Sequence, residues 1–73
     1  MMTRTEESFA KAIEEVKSFT VLHDKAVWLV PTDSSYEVSV IEPSPEDLPA
    51  GTRANLYDPE LAIISFVVSS NHH

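Results

Sequence analysis

Histidine and carboxylate side chains are the groups in this sequence whose chemistry suits a metal ion. His23 is followed directly by Asp24, and His72 and His73 stand at the C-terminus. A metal site needs three or four ligands, and no further carboxylate or thiolate stands at ligand spacing from these histidines. We therefore predict a surface turn at His23 and Asp24 and a frayed tail over residues 70–73. The sequence predicts neither a metal site nor a cofactor.

A serine activated by a histidine is the other chemistry to consider. Ser34 and Ser35 lie in a turn-forming stretch, without the flanking glycines of a nucleophile elbow. Gly51 is the only glycine, so no glycine-rich loop is present that could hold a phosphate group. We interpret the two serines as turn residues and expect a protein that is not an enzyme and has no small-molecule substrate.

The charge of the chain is strongly negative and unevenly distributed. The formal net charge is −7, and residues 26–73 hold seven acidic residues and a single base, Arg53. Direct binding to nucleic acid is not expected, because contacts to phosphates need Lys and Arg. An acidic protein is instead attracted to a basic protein surface. The candidate partner-binding acids are Glu42, Glu46, Asp47, Asp58 and Glu60; the alternative is that they serve only solubility.

One helix is predicted over residues 3–19. Thr3 and Glu6 match the spacing of a capping box. Apolar residues then recur at helical spacing and form one stripe. The stripe consists of Phe9, Ala12, Ile13 and Val16.

Four strands are predicted, at about residues 26–30, 36–42, 53–57 and 61–68. The first two form a hairpin, and a proline-rich acidic loop occupies residues 43–52. The run 61–68 is the most apolar, which predicts a buried central strand beneath the helix. Replacing Ile64 or Phe66 by Ala should then cost about 2–5 kcal/mol.

These elements predict one domain over residues 1–73 with an α+β fold, in which an N-terminal amphipathic helix packs on a three- to four-stranded antiparallel sheet. A single helix covers one sheet face, so the other face needs the loop, a second copy or a partner. Trp28 is either core beneath the helix or an exposed interface anchor on the other face. The start of the chain has no apolar signal segment and the run 61–68 is too short to span a bilayer, so we expect a cytoplasmic protein without membrane contact.

The chain resembles the small phage-encoded transcription regulators that bind host RNA polymerase, of the Xanthomonas phage type. The resemblance rests on length, acidity and the absence of cysteine, with residues 1–5 (MMTRT) and 26–30 (AVWLV) as the stretches to compare. It implies a host-cytoplasmic inhibitor of transcription initiation that also acts in antitermination, with polymerase near its RNA exit region as partner. The alternative function is a DNA mimic that inhibits a host nuclease or DNA-binding protein.

Overall fold

The computed structural model of this chain describes residues 5–71. Helix α1 spans Glu6–His23, and a short 3₁₀ helix lies at Pro45–Asp47. The strands are β1 Val27–Pro31, β2 Tyr36–Ser39, β3 Arg53–Tyr57 and β4 Ile63–Val68. They form one antiparallel sheet in the order β2-β1-β3-β4. One N-terminal helix on a four-stranded antiparallel sheet confirms the predicted α+β fold.

The helix begins with a capping box, but at Thr5 rather than at Thr3. The Ser8 backbone N–H donates to the Thr5 hydroxyl at 3.1 Å, and the Thr5 backbone N–H donates to the Ser8 hydroxyl at 2.8 Å. Glu6 is therefore the first helical residue and not the reciprocal partner that the sequence predicted. Thr3 itself lies outside the described residues. A serine takes the role usually filled by Glu or Gln.

The predicted helix end at residue 19 is wrong, since α1 continues for another turn to His23. Thr20 is fully buried, and its hydroxyl donates to the Lys17 carbonyl at 3.1 Å. The ring of Phe19 stacks obliquely on His23, with centroids 4.4 Å apart. Packing of this last turn outweighs the low helix propensity of its β-branched and aromatic residues. The helix stops at Asp24, which adopts the left-handed conformation that Asp tolerates better than most residues.

The helix lies mainly across β1 and β2. Ala12 and Val16 of the predicted stripe are buried, and they meet Val27 and Leu29 of β1. Phe9 lies edge-on to Tyr36 of β2, with centroids 5.6 Å apart, and remains partly exposed. Tyr57 at the end of β3 joins the same cluster, and the rest of the helix-side surface of β3 and β4 is largely without cover.

The prediction that residues 61–68 form the central strand beneath the helix is wrong. The observed strand β4 begins at Ile63 and lies at the edge of the sheet, whereas β1 pairs on both sides, with β2 and with β3. Strand order depends on which segments pair, and local apolarity does not determine it. The large apolar residues of β4 that stand exposed are Ile63, Ile64, Phe66 and Val68.

The remaining strand boundaries differ less from the prediction. The predicted hairpin is confirmed, with Pro31 of β1 opposite Tyr36 of β2. Strand β2 ends at Ser39 rather than at residue 42, because the Ser39 hydroxyl bonds both the N–H and the carbonyl of Ile41 and turns the chain. Strand β3 has the predicted bounds, and β1 is shifted by one residue.

A tight turn joins β3 to β4 and is organised by Asp58. One carboxylate oxygen of Asp58 accepts the backbone N–H groups of Glu60 and Ala62, each at 2.9 Å. Leu61 between them has φ of 63°, an unusual conformation for a residue with a branched side chain. Asp58, predicted as a partner-binding acid, thus has a structural task in this turn.

Candidate protein-binding surfaces

The proline-rich loop packs on the face of the sheet that the helix does not cover. Leu48 of this loop is 1% exposed and forms a second core cluster with Trp28 and Ala54. Trp28 is 5% exposed. Both interpretations of Trp28 from sequence are therefore wrong, since it lies opposite the helix and yet is buried. As a buried residue it is not available as an interface anchor.

The loop is held in place by the end of the chain. The Ser69 hydroxyl donates to the Leu48 carbonyl at 3.1 Å. The Asn71 side-chain amide donates to the carbonyls of Leu48 and Glu46, at 2.7 and 3.0 Å. The Ser70 backbone N–H adds a bond to the Pro45 carbonyl at 3.1 Å. These bonds fix the acidic 3₁₀ helix against the sheet.

Fixing the loop brings two separate acidic segments together. Glu46 and Asp47 of the 3₁₀ helix line a shallow cleft of about 430 Å³ together with Asp33 and Glu37 of the β1–β2 hairpin. All four carboxylate side chains are exposed. We call these four residues the acidic cleft. The sequence predicted Glu46 and Asp47 but missed the hairpin acids, whose nearness depends on the path of the loop.

Positive charge is scarce in the part of the chain that forms the acidic cleft. Arg53 is the only Lys or Arg between residues 26 and 73. Its guanidinium lies over the ring of Phe66, 5.1 Å from the centroid, in a cation–π contact on β3 and β4. Grouping like charges in this way makes the local electrostatic potential more negative.

The other predicted acids lie at the opposite end of the sheet. Ser39 pairs with Trp28 and Tyr57 pairs with Val27, so β2 and β3 end on the side where β1 begins. Glu42 follows β2 there, and Asp58 and Glu60 follow β3. The acidic cleft lies where β1 ends. The five predicted acids therefore fall into two groups rather than one patch.

A second cleft, of about 540 Å³, opens beside the helix on the uncovered part of the sheet. Its walls include Phe9, Tyr36 and Val68, with Arg53 and Asn55 of β3 along it. The Asn55 side-chain oxygen is buried and has no hydrogen-bond partner. This cleft is mainly apolar, unlike the acidic cleft, and it continues onto the exposed side chains of β4.

Within residues 5–71, no three His, Cys, Asp or Glu side chains are grouped so that they could hold a metal ion. The same part of the chain contains no helix that is both long and apolar enough to cross a membrane. The fold and its surfaces define a small two-layer α+β domain with an acidic cleft and an apolar sheet edge. No protein-family model, curated protein or solved structure matches the chain.

Proposed function

We propose that this protein is a non-catalytic regulator that binds a basic surface of a larger protein through its acidic cleft. The observation that carries the proposal is the grouping of Asp33, Glu37, Glu46 and Asp47 from two segments around one cleft. Exposed carboxylates of one sign steer a basic partner and speed its association more than they strengthen the final complex. The loop that presents two of them is hydrogen-bonded in place, which lowers the entropic cost of binding.

Host RNA polymerase is the partner that we propose to test first. The reason is the resemblance in length, acidity and lack of cysteine to small polymerase-binding regulators of phages. On this proposal the protein inhibits transcription initiation and promotes antitermination by occupying a basic protein surface beside the RNA exit region. The proposal requires no direct contact with nucleic acid.

The division of the acids into two groups argues against a DNA mimic. A mimic needs carboxylates spaced like phosphates along one face, and here Glu42, Asp58 and Glu60 stand at the far end of the sheet from the acidic cleft. A pull-down with this protein as bait separates the two functions. Retention of polymerase subunits supports the proposal, whereas a retained nuclease that duplex DNA displaces would favour mimicry.

The proposal predicts that reversing two charges of the acidic cleft weakens partner binding. The double variant Glu46→Lys/Asp47→Lys should reduce affinity for purified polymerase by at least about tenfold at low salt, mostly through the association rate. Both side chains are exposed, so the thermal midpoint should change little. Surface plasmon resonance at several salt concentrations measures both effects.

The matched control is Glu14→Lys/Glu15→Lys. It changes the net charge equally, at two exposed positions of the helix that do not line the acidic cleft. The control should keep most of the affinity. If both double variants lose affinity equally, only net charge matters and the acidic cleft is not the docking site.

A further inference from the structure

The outer edge of β4 carries free backbone groups. The Ser69 N–H donates to the Thr52 carbonyl of the preceding loop at 3.0 Å, and β3 and β4 continue this pairing in antiparallel register. Backbone groups of an antiparallel strand point alternately towards and away from its neighbour. Val67 and Ser65 therefore face β3, and the N–H and carbonyl groups of Phe66 and Val68 point away from the sheet. Those groups can form hydrogen bonds with another strand.

Natural sheet edges are protected by charged side chains, prolines, β-bulges or covering segments. Within residues 5–71, the β4 edge has one of these devices, a register shift opposite Leu56 and Tyr57. Residues 61–71 contain no charged residue and no proline, in a chain of which 23% is charged. The opposite edge strand, β2, is shorter and carries Glu37. The β4 edge is thus both apolar and open.

We propose that two copies of this chain associate by antiparallel pairing of β4 with β4, centred on Phe66, to form a continuous eight-stranded sheet. A two-fold axis makes an antiparallel strand complementary to itself. In this register the Phe66 residues of the two copies lie opposite each other. On either side of them, Ile64 of one copy, which stands at the register shift of β4, lies opposite Val68 of the other. All of these side chains are large, apolar and about half exposed in the single chain.

The absence of charged residues in this edge favours a second copy of the chain, and not a basic partner, as the molecule that binds there. Each copy has a net charge of −7, so the repulsion between two copies is weakest when they meet at a surface without carboxylates. The uncharged run 61–71 provides such a surface, and it gives a basic partner no carboxylate to contact. The residues that pair in this dimer, Ile64, Phe66 and Val68, are not among those that line the acidic cleft.

The size of the edge predicts a weak, reversible dimer. Four half-exposed side chains on β4 amount to an apolar patch of about 300–600 Å² on each copy. Two such patches reach at most the lower limit of stable interfaces, which is about 1,200 Å² in total. We expect association in the micromolar range, visible as a mass that rises with concentration from the 8.1 kDa monomer towards twice that value.

Sedimentation equilibrium from low micromolar to millimolar concentration tests the pairing. Phe66→Lys should weaken association by at least about tenfold, because it removes apolar burial and sets two like charges opposite each other. Leu22→Lys is the matched control, since Leu22 is an exposed apolar residue of the helix and the charge change is identical. The control should associate as the unaltered chain does. A monomer at millimolar concentration, or equal effects of the two variants, would overturn the proposal.

Two further measurements keep the result interpretable. Far-UV circular dichroism shows whether Phe66→Lys folds, and if it does not, Ile64→Lys takes its place in the same test. Amide hydrogen exchange by NMR should show the N–H groups of Phe66 and Val68 protected at high concentration and exchanging fast in dilute solution. Association without this protection would mean that the copies pack by their faces, and strand pairing would be wrong. Polymerase binding is measured separately, so either proposal can fail alone.

Discussion

The two faces of the central strand β1 are closed in different ways. On one face, Val27 and Leu29 pack beneath an 18-residue amphipathic helix. On the other face, Trp28 packs with Leu48, which comes from a loop whose regular structure is limited to one 3₁₀ turn. A chain of this length can therefore bury a second apolar cluster without a second long helix, provided that hydrogen bonds hold the covering residue in place.

The two covers are also held by different forces. The helix satisfies its own backbone hydrogen bonds and adds the capping box at Thr5. The loop relies on side chains from the end of the chain, with Ser69 and Asn71 both donating to the Leu48 carbonyl. Loss of a few hydrogen bonds therefore threatens the loop side much more than the helix side.

The largest expected effect comes from removing the cover of Trp28. Leu48→Ala should lower the free energy of unfolding by about 2–5 kcal/mol, because Leu48 is almost fully buried and its loss leaves a cavity over Trp28. Urea denaturation followed by Trp28 fluorescence measures the change. Since Trp28 is the only tryptophan, its emission should also shift to the red in the folded variant.

Leu22→Ala is the control for Leu48→Ala. Leu22 is 77% exposed on the helix, so the same chemical change should cost at most about 0.5 kcal/mol. If Leu48→Ala and Leu22→Ala lower the free energy of unfolding equally, then the loop does not bury Trp28, and the second face of β1 has no core of its own.

An intermediate effect is expected from cutting the hydrogen bonds that hold the loop. Asn71→Ala removes the donor to the Leu48 and Glu46 carbonyls and should cost about 1–2 kcal/mol. Ser70→Ala is the matched control, because Ser70 bonds the loop only through its backbone N–H, which the substitution keeps. Equal midpoints of thermal unfolding for the two variants would show that the side-chain bonds do not stabilise the loop.

Asn71→Ala also connects the fold to the acidic cleft. If the bonds of Asn71 hold the 3₁₀ helix in place, the variant should lower affinity for the basic partner although no charge has changed. Binding that stays intact in a destabilised Asn71→Ala would mean that the position of Glu46 and Asp47 is set by other contacts.

The fold could be predicted from the sequence where one periodic pattern decides the structure. The stripe through Ala12 and Val16 identified the helix face, and the alternation in β2 identified the hairpin. The order of strands could not be predicted, because an apolar run such as 61–68 has the same composition whether it is buried inside a sheet or exposed at its edge. In this chain the most apolar run lies at an exposed edge and not in the core.

The candidate site was predictable only in part, for a related reason. Alternation placed Trp28 and Leu29 on opposite faces, but it carries no information on which segment covers each face. The grouping of Asp33 and Glu37 with Glu46 and Asp47 depends on a loop that crosses the sheet and on bonds from Asn71, 25 residues away from Glu46. Contacts of this kind leave no periodic signal.

The smallest expected effect is at Phe66. Its size tests directly whether β4 lies at the edge of the sheet or in the core. Phe66 is 54% exposed, so Phe66→Ala loses less than half of a full burial together with the contact to Arg53. In dilute solution the cost should be about 1 kcal/mol, well below the 2–5 kcal/mol expected for a residue of a central strand. Urea denaturation at low micromolar concentration measures it beside Leu48→Ala. A cost at Phe66 equal to that at Leu48 would place β4 in the core after all, because only a buried side chain can lose that much free energy while the chain is monomeric.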